Sequence, residues 1–193
     1  MPLILGAVAV ALVGIGLVAL RRPAALDPGT ATSSQAAAAI QQAAAKEPSA
    51  TDPEIIAKVQ EQAKYGPHKQ ETLPPVPFQG YAPPRPYEVV TAAYQFAAEH
   101  PEILSYIPCF CGCQHSGHTG NESCFVKKRA ENGDVVEWDE HGVECTICID
   151  VANRSRQMYA SGASVRDIRA AIEKTYAEAA THTPTPAPPA RSN

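Results

Sequence analysis

The chain has 193 residues, 45% of them hydrophobic, but alanine inflates that share and aromatics make up only 6%. A net charge of −4 leaves no basic footprint, which argues against nucleic acid as a partner. The prolines cluster in two places, so the expected compact unit is roughly 90–100 residues, a core small enough that cross-links or metals commonly supplement it.

Pro2 to Leu20 is an uncharged run of Leu, Val, Ile, Ala and Gly. At 1.5 Å per helical residue, about 19 residues cross a bilayer core of about 30 Å. No lipobox cysteine and no convincing cleavage site precede Arg21-Arg22. Residues 1–22 are therefore read as a retained membrane anchor, with residues 2–20 in the bilayer and an uncleaved signal as the alternative. The two arginines vote for a cytoplasmic body. The anchor–stalk–head order votes for an extracytoplasmic head at the cell membrane, and that reading is adopted.

Residues 23–85 form an Ala/Pro-rich linker. Within it, Thr51-Asp52-Pro53-Glu54 starts a short helix expected over 53–65. Residues 67–86 hold seven prolines and read as an extended spacer. The head follows over 86–180, and Thr181–Asn193 reads as a disordered Pro/Thr/Ala tail. The head is expected to be all-α, a small bundle of about four helices with an irregular cysteine-bearing side. Its first helix runs from Pro86 to about His100, with Val90, Ala93, Tyr94 and Ala97 at helical spacing. Asn121 is expected to cap a helix carrying Cys124, Phe125 and Val126, and Val135–Trp138 is a short strand at most. A further helix opens at Glu144 or Cys145 and ends by Gly162. Ser164-Val165-Arg166-Asp167, a capping box with Asp in place of Glu, starts the last one.

All six cysteines lie between Cys109 and Cys148. Cys109-Phe110-Cys111-Gly112-Cys113 cannot serve one ion while extended, because alternate side chains of a strand stand roughly 6.5–7 Å apart. Thiolates around zinc must converge to metal–sulfur distances of about 2.3 Å. The chain must curl, and Gly112 relaxes the backbone there. Cys145-Thr146-Ile147-Cys148 has the spacing of a metal knuckle. Metal binding is the favoured reading, with Cys109, Cys111, Cys113, His118, Cys124, Cys145 and Cys148 as ligands. Thiolate richness favours copper, with zinc the alternative. His115 is a weaker ligand, and His141 reads more simply as part of an acidic turn. Two other readings stay open: thiol–disulfide exchange at the C-x-x-C pair, and a module stapled by disulfides or structural zinc. Lys127-Lys128-Arg129 reads as a solvated face. No Ser/His/Asp set, carboxylate dyad or phosphate loop stands out, so no catalytic residue is assigned.

Pro108-Cys109-Phe110-Cys111-Gly112-Cys113 closely resembles the motif of the PCYCGC-motif family of bacterial exported proteins, with Phe110 in place of the tyrosine. Gly117-His118, Asn121, Cys124-Phe125-Val126, His141-Gly142, Cys145-x-x-Cys148 and Gly162-x-Ser164 extend the resemblance over about residues 101–176. It implies an exported or lipoprotein-type protein for which metal binding is the usual suspicion, and the missing lipobox sets this chain apart from the lipoprotein members. The metal reading itself calls for a metal-donor or metal-acceptor protein as partner. Residues 145–176 are similar, more weakly, to the thiol-oxidoreductase subunit of cytochrome c maturation, which keeps the redox alternative open.

Overall fold

The computed structural model describes residues 48–80 and 82–190. The expected anchor at 2–20, residues 23–47 and 81 of the linker, and the last three residues lie outside them. Among the described residues no helix is long and apolar enough to cross a membrane.

The helices begin and end where local chemistry dictates. Helix α1 spans Pro53–Ala63 and is capped by the Asp52 carboxylate, which accepts from Glu54 N at 3.0 Å. Its Val59 and Ala63 pack with Tyr106. Helix α2, Tyr87–Glu99, buries Val90, Ala93, Tyr94 and Ala97, the stripe that the spacing predicts, together with Phe96 and Ala98. A single turn, α3 (Pro101–Leu104), follows the break at His100. Two 3₁₀ turns, Cys113–Ser116 and Glu122–Cys124, carry the chain to a hairpin of strands β1 (Val126–Arg129) and β2 (Val135–Trp138). The strands pair antiparallel, Val126 opposite Trp138 and Arg129 opposite Val135, with an irregular register between. Then come α4 (His141–Glu144), α5 (Thr146–Ala160) and α6 (Val165–Thr175). Helix α6 starts in the reciprocal Ser164/Asp167 capping box and buries Ile168 and Ile172.

Three expectations are corrected. The head is mostly helical rather than all-α, because it contains the two-stranded sheet. The helix expected after Asn121 is one 3₁₀ turn followed by β1: Trp138 lies opposite Val126, and the buried Val126 and Val135 pack in the main core. The third correction concerns Arg129, read as solvated but with a side chain only 5% exposed. Its guanidinium donates to the carbonyls of Ala97 and Ala98, which end α2, and to Gly133 O. It also pairs with the buried Glu122 at 3.2 Å. Burial pushes the Glu122 carboxyl up to about 7, against the pull of Arg129.

Both proline-rich segments differ from the free spacer and tail expected of them. In the first, Gln70 accepts from Val135 N at 2.7 Å and donates to Val135 O at 3.1 Å. Trp138 Nε1 donates to Pro74 O, and Leu73, Val76 and Phe78 pack on the core. The segment thus covers the outer edge of β2. In the second, Thr183 to Pro186 are buried. Proline lacks an N–H, so such segments lie against a surface with few backbone donors left to satisfy.

Candidate metal centre

The run from Cys109 to Cys113 curls as its spacing demands. Gly112 has φ 85, a left-handed conformation that a side chain would strain, and the 3₁₀ turn starts immediately after it. Cys109 and Cys113 turn inward and are buried, while Cys111 and Phe110 remain half-buried. Phe110 stacks on Tyr176 of the chain after α6, with ring centroids 5.1 Å apart and planes 11° from parallel. Cys124 comes from the second 3₁₀ turn and is fully buried. Cys145 is the residue that caps α5, and Cys148 sits in that helix's first turn, inside the core. Asn121 Nδ2 donates to Cys148 O at 3.2 Å, which ties the two sides of the centre together.

His141 is brought in by α4. That helix lies so close to the Cys124–Phe125 backbone that a Cβ on Gly142 would stand 2.7 Å from Cys124 O and 2.5 Å from the Phe125 ring. Only glycine permits this approach, and it delivers His141 Nε2 to 3.4 Å from Cys111 Sγ. The sulfurs themselves are close. Cys109 Sγ lies 3.3 Å from Cys148 Sγ and 3.6 Å from Cys111 Sγ, Cys111 to Cys148 is 3.6 Å, and Cys113 to Cys124 is 3.7 Å. All six are free thiols.

Two groups of four each have all their ligand atoms within 4.8 Å of one another: Cys109, Cys113, Cys124 and Cys148; and Cys111, His141, Cys145 and Cys148. A tetrahedral ion with metal–sulfur bonds of about 2.3 Å sets its sulfurs about 3.8 Å apart. The observed separations are close to that edge length, and far from the roughly 2.05 Å of a disulfide bond. The donor set therefore fits a thiophilic metal ion.

Sulfurs this close share protons. Hydrogen bonding, first with Cys111, pulls the Cys109 thiol down to about 4, and Cys111 and Cys113 are pulled down as well. Burial holds Cys124 up, and the bonds from Cys109 and Cys111 hold Cys148 up. Each thiolate is stabilised by a neighbouring thiol, so an incoming ion displaces the remaining protons. Bonds to Cys111 and Cys145 raise His141 to about 10.

The structure gathers all six cysteines, as the sequence reading expects. It places His118 outside both groups. His118 is buried beside Cys113, its Nε2 lies 3.6 Å from Asp139 Oδ2, and its Nδ1 has no hydrogen-bond partner. Burial disfavours its charged form, but the Asp139 carboxylate and the Cys113 sulfur beside it prevail and raise it to about 9. The imidazole among the sulfurs is His141, which stands edge-on to His118 with ring centroids 5.3 Å apart. The signal for it was present in the sequence: His141 lies four residues, one helical turn, before Cys145. His115 is exposed and belongs to neither group.

The C-terminal segment closes one side. Thr183 N donates to Cys109 O at 2.8 Å, and Cys109 N donates to Thr183 Oγ1 at 2.8 Å. Thr185 Oγ1 donates to Thr119 O, and Arg169 holds the carbonyls of Thr185 and Pro186.

A family model described as "Protein of unknown function with PCYCGC motif" matches residues 31–188. Neither the curated proteins nor the solved structures give a match. The local likeness of residues 145–176 to the cytochrome c maturation subunit finds no support in these comparisons.

Proposed function

The chain belongs to the PCYCGC-motif family, and from that premise we propose that it is a metal-handling protein whose Cys/His centre holds soft ions for sequestration, delivery or sensing. The observation that carries this reading is the convergence of six free thiols and one imidazole at metal-ligand separations. Copper is the proposed cargo, because a thiolate-rich set prefers soft ions and Cu(I) is the softest of the common ones. We place the head outside the cytoplasm, held at the cell membrane by residues 2–20. The supports for that placement are the uncharged apolar run and the proline-rich chain after it. A metal-donor or metal-acceptor protein is the partner this role requires.

Zinc is the second reading, favoured by the sulfur separations of 3.3–3.7 Å, which suit four-coordinate tetrahedral binding. The test is elemental analysis of the full chain purified without added metal, with thiols counted before and after reduction. Copper with the thiols protected is the expected result. Zinc that copper does not displace moves the assignment to the second reading. Metal-free protein with no free thiols overturns metal binding in favour of disulfides. Metal-free protein whose Cys145/Cys148 pair exchanges with a redox buffer overturns it in favour of an oxidoreductase.

A further inference from the structure

Resting on that metal-binding reading, we propose that the centre takes two thiophilic ions bridged by the Cys148 thiolate: an inner ion at Cys109, Cys113 and Cys124, and an outer, exchangeable ion at Cys111, Cys145 and His141. The two four-ligand groups share one residue, Cys148, and no other. Its Sγ is 3.3 Å from Cys109 of the first group and 3.6 Å from Cys111 of the second, so it belongs equally to both. A thiolate sulfur has lone pairs enough to bind two ions at once.

One ion leaves this centre incomplete. A four-coordinate ion in the first group uses four of the seven ligand atoms and leaves Cys111, Cys145 and His141 clustered without a charge to hold. An ion in the second group leaves three buried sulfurs, Cys109, Cys113 and Cys124, in the same position. The ligand atoms of each group lie within 4.8 Å of one another, so each group is a complete seat for its own cation, which displaces the protons the thiols otherwise share.

The groups also differ in access. All four members of the first are buried, whereas the second has three half-buried members, Cys111, His141 and Cys145. Ligand exchange proceeds through a side that an incoming thiol or chelator can reach. The inner ion is therefore locked by the fold, and the outer ion is the one loaded and surrendered. His141 suits that task, because replacing one thiolate by a neutral imidazole weakens the hold on a soft ion.

The test is loading of the reduced full chain with cadmium, an ion whose NMR resonance reports its sulfur and nitrogen ligands. The expected outcome is two equivalents bound, with two resonances coupled to each other through the shared sulfur. A chelator should remove one of them well before the other, and His141→Ala should abolish or shift that same resonance. One equivalent at saturation overturns the two-ion centre while leaving metal binding intact; no bound cadmium overturns metal binding itself. Two uncoupled resonances overturn the bridge. Equal rates of removal, or a His141→Ala chain with both resonances unmoved, overturn the division into inner and outer ions. Cys113→Ser should remove the inner resonance. If that chain fails to fold, the chelator experiment on the unaltered protein still decides.

Discussion

Around Tyr94 the head is held by rings. Tyr94 meets Phe125 and Trp138 edge-on, with centroids 5.0 and 5.1 Å away, and its hydroxyl donates to Asp139 O at 2.6 Å. Around Cys148 it is held by sulfur: five other thiols and an imidazole occupy the volume that apolar side chains would fill in an ordinary core. The ring side is complete as it stands, because burial of aromatic surface and satisfied hydrogen bonds need no further component. On the proposed reading the sulfur side is conditional: without cations its thiols share protons, and with them it would become the most cross-linked part of the molecule. One small domain would thus combine a preformed half with a half whose stability is set by what it binds.

That contrast can be broken most forcefully by chelation. Removing bound metal should lower unfolding stability by about 4 kcal/mol for each ion when the loaded protein is compared at free metal about a thousandfold above that ion's dissociation constant. The near-ultraviolet circular dichroism of Trp138 should persist through the chelation step, and its collapse there would show that the ring side also depends on metal. Next comes Arg129→Met, which takes the partner from the buried Glu122 and the donor from the carbonyls that end α2, the helix that carries Tyr94. We expect a loss of about 3–5 kcal/mol in denaturant unfolding, only partly restored by adding Glu122→Leu. Unchanged stability would show that the pair carries nothing.

Thr183→Val is smaller and acts on the sulfur side. It removes the acceptor of Cys109 N and should cost about 1–3 kcal/mol. It should also speed chelator access at an unchanged metal count; slower access would contradict a closing role for the C-terminal segment. The smallest effect is at the hairpin turn. Hydrogen bonding to His68, then to Asn132, holds the Asp134 carboxyl below its usual range. Its contribution is present above the unfolded carboxylate value and is lost as pH falls through the depressed native one. Asp134→Asn should therefore lower the neutral plateau slightly and flatten the acid limb, the two chains converging at low pH, as a pH series of thermal melts would report.

The helices were legible because their signals are local: proline at a first turn, a capping box, an apolar stripe at 3.6-residue spacing. The cysteines were legible because thiols crowd a short window. What escaped depends on partners distant in sequence. Arg129 looked solvated until Glu122 and the end of α2 were placed around it. His141 looked like part of a turn because its role rests on Gly142 letting α4 touch the Cys124 backbone. The proline-rich segments looked free because nothing in their composition says that Val135, Trp138 and Cys109 wait for them.

The pairing of Thr183 with Cys109 fixes the direction from which the sulfurs can be approached. Thr183 N donates to Cys109 O, and Cys109 N donates to Thr183 Oγ1, so the backbone edge of the cysteine run is already occupied by the chain's own C-terminal segment. A molecule that reaches the cluster without displacing that segment comes from the half-buried side of Cys111, His141 and Cys145. A stretch of polypeptide that supplies no sulfur thus decides which face of the cluster meets another molecule.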